Sequence, residues 1–137
     1  MILLDTNVLS EPLKPRPEPS VIAWLDSQAN DRLCISVVSV MEMLEGAARL
    51  DVGARRLRHE EAIHNLLPRF PCLPFDEFAA RTCVQLTEKA RRAGHRIPMG
   101  GAQIAAIAQS SGIEAVATRD TGLFEALGVT VVNPWAT

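Results

Sequence analysis

Three acidic residues follow, or lie close behind, apolar runs that are predicted to form buried strands. Asp5 comes directly after the apolar residues 1–4, and Asp120 comes just after "AVAT" at 115–118. Glu42 lies in the first turn of the helix predicted behind another such run. Because parallel strands bring their carboxyl ends to one edge of a sheet, we expect the three side chains to converge there.

Carboxylates that converge repel one another unless a hard divalent cation neutralises them, and Mg²⁺ is the usual one, with Mn²⁺ as an alternative. Such an ion lowers the pKa of a bound water and stabilises charge on a phosphate in transfer. Asp5, Glu42 and Asp120 are therefore candidate catalytic residues and metal ligands. Glu45, on the same helical face as Glu42, would either point into this site or face solvent. Taken singly, each acid is also explained as a helix cap or a surface charge.

Hydrophobic patterning gives the elements that must position these acids. It predicts strands at 2–4, 34–39, 71–75, 115–118 and 129–132, and helices at 20–28, 41–50, 52–66, 76–93 and 102–112. Ser20 is the expected N-cap of the first helix, and Asp76 that of the fourth. Strands separated by helices predict an α/β fold, a three-layer α/β/α sandwich around a parallel sheet. A length of 137 residues suits one domain, 1–137.

The composition excludes some classes of function and indicates the cellular compartment. The formal net charge of −2 argues against broad, sequence-independent adhesion to nucleic acid. The odd number of cysteines, three, shows no spacing typical of a disulfide framework or a zinc site. There is no basic leader and no apolar stretch near the ~18 residues of a membrane span. We therefore expect a cytoplasmic protein without a membrane partner.

Three segments together resemble one family. They are "LLDTNVLSE" at 3–11, "SVVSVMEMLEG" at 36–46 and "AVATRDTGLFEALGVTVVNPW" at 115–135, and they resemble the PIN-domain family, in particular the VapC and FitB-like toxins of type II toxin–antitoxin modules. The resemblance implies a metal-dependent ribonuclease with four acidic residues, inhibited by a cognate antitoxin. It also implies a homodimer, with operator DNA bound only through the antitoxin.

The family's site residues carry over by position. Asp5 matches the first acid, Glu42 the second and Asp120 the fourth. Asn7 and Thr118 match polar residues that orient the carboxylates through hydrogen bonds. The resemblance therefore predicts a site built from these five side chains.

The third acid of the family is absent. Its position, directly before the Ala-Gln-Ile-Ala run, holds Gly101, and Gly100 precedes it. Glycine here is also explained as an N-cap after a flexible loop. A naturally impaired member and a deliberate replacement of the acid both fit the sequence. We expect a ribonuclease of reduced activity; the alternative is a weak PIN domain that binds RNA, or binds its antitoxin as a corepressor.

Two further residues beside the third segment have open roles. Arg119 precedes Asp120 and could contact a substrate phosphate or pair with a neighbouring carboxylate. Trp135 reads as a core anchor or as a subunit contact, since aromatic residues are enriched in interface cores.

Overall fold

The computed structural model describes residues 1–136; Thr137, the last residue of the predicted domain, lies outside the described residues. Its sheet has five parallel strands in the order β3-β2-β1-β4-β5. Their bounds are β1 Ile2–Leu4, β2 Leu33–Ser36, β3 Cys72–Leu73, β4 Ala115–Ala117 and β5 Val131–Val132. The chain moves outward from β1 on one side and returns to place β4 on the other. The switch in strand order therefore lies between β1 and β4, where ligands of open α/β sheets bind.

Helices connect the strands. They are α1 Thr6–Ser10, α2 Pro19–Ser27, α3 Val37–Ala48, α4 Ala54–Leu66, α5 Glu77–Arg92, α6 Met99–Ser110 and α7 Thr121–Ala126. Short 3-10 turns lie at Glu11–Leu13, Asn30–Arg32, Leu67–Arg69 and Pro134–Ala136. Within residues 1–136, none of these helices has the length and apolar character needed to cross a bilayer.

Two hydrophobic clusters lie on opposite faces of the sheet, because successive strand residues point to opposite sides. Leu3 and Val116 belong to the cluster that packs against α5 and α6. Ile2 and Leu4 belong to the other, with side chains of α1, α2 and α4 such as Val8. Helices thus cover both faces, and the predicted three-layer α/β/α sandwich with a parallel sheet is confirmed.

The strand predicted at 34–39 is wrong in its second half, since β2 ends at Ser36 and α3 begins at Val37. The Ser36 side chain accepts a hydrogen bond from the Ser39 amide at 3.1 Å and caps the helix. The three valines within 37–40 favour a strand by propensity. The Ser36 cap and the burial of Val38 stabilise a helix instead. β3 and β5 are shorter than predicted.

Three further predicted helix starts differ from the structure, and one of these helices, α4, begins at Ala54 rather than at residue 52. α6 begins at Met99, with Pro98 at the N-cap, so Gly100 and Gly101 lie in its first turn rather than in a loop. Gly101 is therefore not an N-cap. α2 begins at Pro19 rather than at a Ser20 cap, since proline is already shaped for the first helical position. The cap at Asp76 is confirmed, because its side chain accepts from the Ala79 amide at 2.9 Å.

Candidate active site

Asp5 is fixed at the end of β1 by its backbone and by its side chain. Its amide donates to the Ala117 carbonyl at 2.9 Å, which continues the pairing of β1 with β4. Its Oδ1 accepts from the Thr6 amide at 2.8 Å and thereby caps α1. The residue is only 7% exposed. α1 is a helix that sequence reasoning missed, and its N-cap residue, Asp5, holds a carboxylate at the sheet's switch point.

Thr118 connects two of the predicted acids. Its hydroxyl donates to Oδ2 of Asp5 at 2.7 Å and accepts from the Asp120 amide at 2.9 Å. Thr118 is fully buried, so this hydroxyl has no water to replace either partner. It therefore holds the Asp5 carboxylate and the loop of Asp120 in one arrangement.

Asn7 ties the same loop to α1. Its Nδ2 donates to Oδ2 of Asp120 at 3.4 Å, and its Oδ1 accepts from the Arg119 amide at 3.3 Å. The structure thus brings the two predicted supporting residues, Asn7 and Thr118, beside the carboxylates of Asp5 and Asp120. The α1 and β4 sides of the switch point are bonded to each other through side chains.

Glu42 joins this group from α3. Its Oε1 accepts from the Thr6 hydroxyl at 3.0 Å, and the same hydroxyl pairs with that of Ser39 at 2.8 Å. Glu42 is exposed and lies in the second turn of α3, not the first. Sequence reasoning missed Thr6 and Ser39; the signal for Thr6 was its place inside the polar triplet that interrupts the first apolar run.

Glu45 stays apart from the other acids. It is exposed, and its side chain makes no hydrogen bond or ion pair with the residues that the structure describes. Within residues 1–136, Glu45 therefore lacks a contact that would place it in the group, such as the hydrogen bond between Thr6 and Glu42.

The two glycines at the start of α6 have different surroundings. A Cβ atom on Gly100 would lie 3.6 Å from Oε2 of Glu42, at ordinary contact distance. A Cβ atom on Gly101 would lie 2.9 Å from Cδ2 of Leu123, so that the leucine tip would have to shift. The position predicted to lack an acid therefore faces Leu123 of α7, while its neighbour Gly100 faces the carboxylate of Glu42.

Charge and burial set the protonation of Asp5. Burial raises the pKa of its carboxyl above the ordinary value, and the charges of Asp120 and Glu42 raise it further. The hydrogen bonds from Thr118 and from the Thr6 amide act in the opposite direction. A cation beside Asp5 would relieve this penalty, because it favours the ionised carboxylate.

The donor set consists of carboxylate oxygens, which are the ligands that Mg²⁺ prefers. Within residues 1–136, however, no three His, Cys, Asp or Glu side chains are close enough to hold a metal ion by themselves. Mg²⁺ commonly binds through one or two carboxylates and keeps several waters. Asp5 and Asp120, joined through Thr118, fit a hydrated cation of that kind.

The chain is similar to known proteins in sequence and in structure. A sequence profile of the PIN domain matches residues 2–129. The toxin FitB of Neisseria gonorrhoeae is 44% identical over 138 residues, which cover 98% of this chain and 99% of FitB. A VapC ribonuclease of Sinorhizobium fredii is 40% identical over 138 residues, which cover 98% of each chain.

A solved structure of FitAB bound to a DNA fragment is also similar. It superposes with a TM-score of 0.93 at 43% identity and covers 98% of this chain and 96% of that one. The resemblance expected from the three sequence segments is thereby confirmed. The chain belongs to the PIN-domain family.

Proposed function

We propose that this protein is the toxin of a type II toxin–antitoxin system and acts in the cytoplasm as a metal-dependent endoribonuclease. The observation that carries the proposal is the buried carboxylate of Asp5 at the β1–β4 switch point, with Asp120 and Glu42 within electrostatic range. Relatives named as toxin and as ribonuclease, similar over nearly the whole chain, support it.

Asp5 and Asp120 are the proposed ligands of Mg²⁺, or of Mn²⁺, and Glu42 the third acid of the site. When bound, such an ion supplies a water of lowered pKa and neutralises charge on the phosphate. Thr118 and Asn7 orient the carboxylates through the hydrogen bonds described above, as partners behind metal ligands do. Glu42, held by Thr6, is the exposed acid at the rim, where it would meet solvent and RNA.

The proposed partner is a cognate antitoxin of the VapB or FitA type, with operator DNA bound only through that antitoxin. The FitAB structure holds a DNA fragment, which supports a complex of this kind. A homodimer is also proposed. Exposed apolar side chains on one face of α3, at Val37, Met41 and Leu44, offer surface for subunit or antitoxin contacts.

A second function is favoured by one specific feature. The first turn of α6 carries Gly100 and Gly101 and no acid beside Glu42. With one carboxylate fewer, the protein would cleave weakly and serve chiefly to bind RNA or its antitoxin as a corepressor. Activity is therefore proposed to be reduced, and the binding role is the alternative if cleavage is absent.

A cleavage assay tests the main proposal. The purified chain is incubated with total cellular RNA and Mg²⁺ or Mn²⁺, beside a chelator control and the variant Asp5→Asn. We expect slow, divalent-dependent cleavage that falls by about 10²–10³-fold in Asp5→Asn, the loss typical of one preorganised electrostatic group. Equal cleavage by both forms would contradict the assigned site. Binding of RNA without cleavage would favour the alternative.

A further inference from the structure

We infer that Arg119 and Trp135 form a subsite for an RNA phosphate beside the carboxylates, an inference that rests on the proposed ribonuclease function. The guanidinium carbon of Arg119 lies 5.1 Å from the centroid of the Trp135 ring. Arginine stacks on aromatic rings through its planar face, which leaves the donors at its edge available. The pair thus presents N–H groups next to the loop of Asp120.

Arg119 is also held at its backbone. Its amide donates to Oδ1 of Asn7, and its two neighbours are Thr118, bonded to Asp5, and Asp120, bonded to Asn7. An exposed arginine ordinarily loses side-chain freedom when it binds an anion, which weakens binding. With both ends fixed beforehand, Arg119 loses less of that freedom.

Within residues 1–136, the guanidinium of Arg119 has no ionic partner. Some exposed arginines pair with acids, as Arg81 does with Glu77 at 3.0 Å and Arg91 with Glu88 at 2.8 Å, whereas others, such as Arg69, make no ion pair with residues 1–136. Arg119 makes no ion pair with residues 1–136, although it directly precedes Asp120 in the chain. Of the two roles left open by the sequence, carboxylate pairing is therefore not the one adopted.

The Trp135 ring, which the guanidinium of Arg119 contacts, is held in place by contacts of its own. It lies in the 3-10 turn Pro134–Ala136, which contacts α2, and its ring packs against the core cluster of that side. Its amide donates to Oδ1 of Asn133 at 3.0 Å. The ring therefore acts both as the core anchor predicted from the sequence and as the surface on which Arg119 rests.

The anion expected there is a phosphate of single-stranded RNA. Three acids at the site repel an approaching phosphodiester, and a cation at their border offsets that repulsion. Guanidinium edges match phosphate oxygens in a bidentate geometry. A carboxylate of a protein partner carries the same charge, but it has no bond that the three acids would help to cleave. Binding of such a carboxylate is one outcome of the test.

Binding without cleavage separates this subsite from catalysis. Fluorescence anisotropy measures the affinity of a labelled 2′-O-methyl oligoribonucleotide in chelator, over a series of salt concentrations. The variants are Arg119→Ala, Arg119→Lys and Trp135→Leu. Arg69→Ala is the matched control, since Arg69 is an exposed arginine just before β3, at the opposite edge of the sheet.

We expect Arg119→Ala to reduce the slope of log affinity against log salt by about 0.7, one phosphate contact on a single strand. Arg119→Lys should keep the slope but bind more weakly, and Trp135→Leu should weaken binding about two- to five-fold, the value of an exposed cation–π contact. Arg69→Ala should match the wild type. Thermal unfolding of each variant separates a lost contact from a lost fold.

Three results would overturn the subsite. They are an unchanged slope in Arg119→Ala, an equal loss in Arg69→Ala, and no RNA binding by the wild type. The first two leave the ribonuclease proposal standing if the separate assay shows cleavage that depends on Asp5. Loss of antitoxin binding in Arg119→Ala, with RNA binding intact, would assign the arginine to a protein carboxylate instead.

Discussion

The acidic edge of the sheet, where Asp5, Glu42 and Asp120 lie, has two halves that differ in structure. In the β1–β4 half, hydrogen bonds of 2.7–3.4 Å join Asp5 to Thr118, Thr118 to the Asp120 amide, and Asn7 to the Asp120 carboxylate, and Asp5 and Thr118 are buried. The α3–α6 half consists of Glu42, Gly100 and Gly101, with Leu123 of α7 beside Gly101. Among residues 1–136, the exposed Glu42 side chain accepts a hydrogen bond only from Thr6, and Gly100, the α6 residue that faces it, has no side chain.

The difference separates two requirements of such a site. The β1–β4 half holds a carboxylate against burial and like charge, which costs stability and depends on its hydrogen bonds. The α3–α6 half has ordered helices but only one carboxylate, Glu42, because the first turn of α6 carries no acidic residue. We expect changes in the first half to disturb both folding and chemistry, and changes in the second to alter metal binding with little effect on the fold.

The largest effect on stability is expected for Thr118→Val. The substitution keeps the volume but removes the hydroxyl that serves both Asp5 and Asp120. We expect the free energy of unfolding to fall by about 1–3 kcal/mol, the cost of a buried polar group left without its partner. Chemical denaturation measures the change. Thr118→Ser, which keeps the hydroxyl, is the control, and an equal loss in both would show that the lost methyl matters rather than the hydrogen bonds.

Asp5→Asn should stabilise the same half at neutral pH. Burial raises the pKa of Asp5, so the folded protein binds this proton more tightly than the unfolded chain. The contribution of Asp5 to folding stability is therefore fully present below the ordinary pKa of about 3.8. It is lost as the pH rises through the raised pKa of the folded protein. The side-chain amide of Asn does not ionise, so the variant does not lose stability over this pH range.

We expect Asp5→Asn to gain about 0.5–2 kcal/mol at pH 7, a common size for stabilising substitutions at functional sites. The gain should shrink as the pH falls toward the ordinary carboxyl value. Denaturation curves at several pH values test this. A gain independent of pH would mean that packing, not charge, is responsible.

The smallest effect is expected for Gly100→Ala in the α3–α6 half. The new methyl would sit at ordinary contact distance from Glu42, and alanine stabilises a helix by up to about 1 kcal/mol over glycine. Gly101→Ala has the same helical benefit but must displace the tip of Leu123. Thermal unfolding should therefore rank Gly100→Ala above Gly101→Ala. The reverse order would contradict the different surroundings of the two glycines.

The sequence predicted the parallel sheet and the edge on which the acids lie, because buried apolar runs and helical spacing are local signals. It did not predict α1 or α7, which are too short for a periodic pattern to appear. Nor did it predict that the valines after Ser36 begin a helix, since that depends on a cap and on burial. The contact between Gly101 and Leu123 arises from the packing of α7 on α6, which no local pattern records.

We propose that the α3–α6 half lacks one carboxylate for the metal, and calorimetric titration of Mg²⁺ or Mn²⁺ measures this. Gly101→Asp is compared with Gly101→Asn, which places the same Cβ atom against Leu123 but adds no charge. Losing a group that supports a metal costs about 10–100-fold in affinity or activity. We predict that Gly101→Asp binds the ion tighter than the wild type by at least that factor, and that Gly101→Asn does not. Equal affinity of the Asp and Asn variants would contradict the claim.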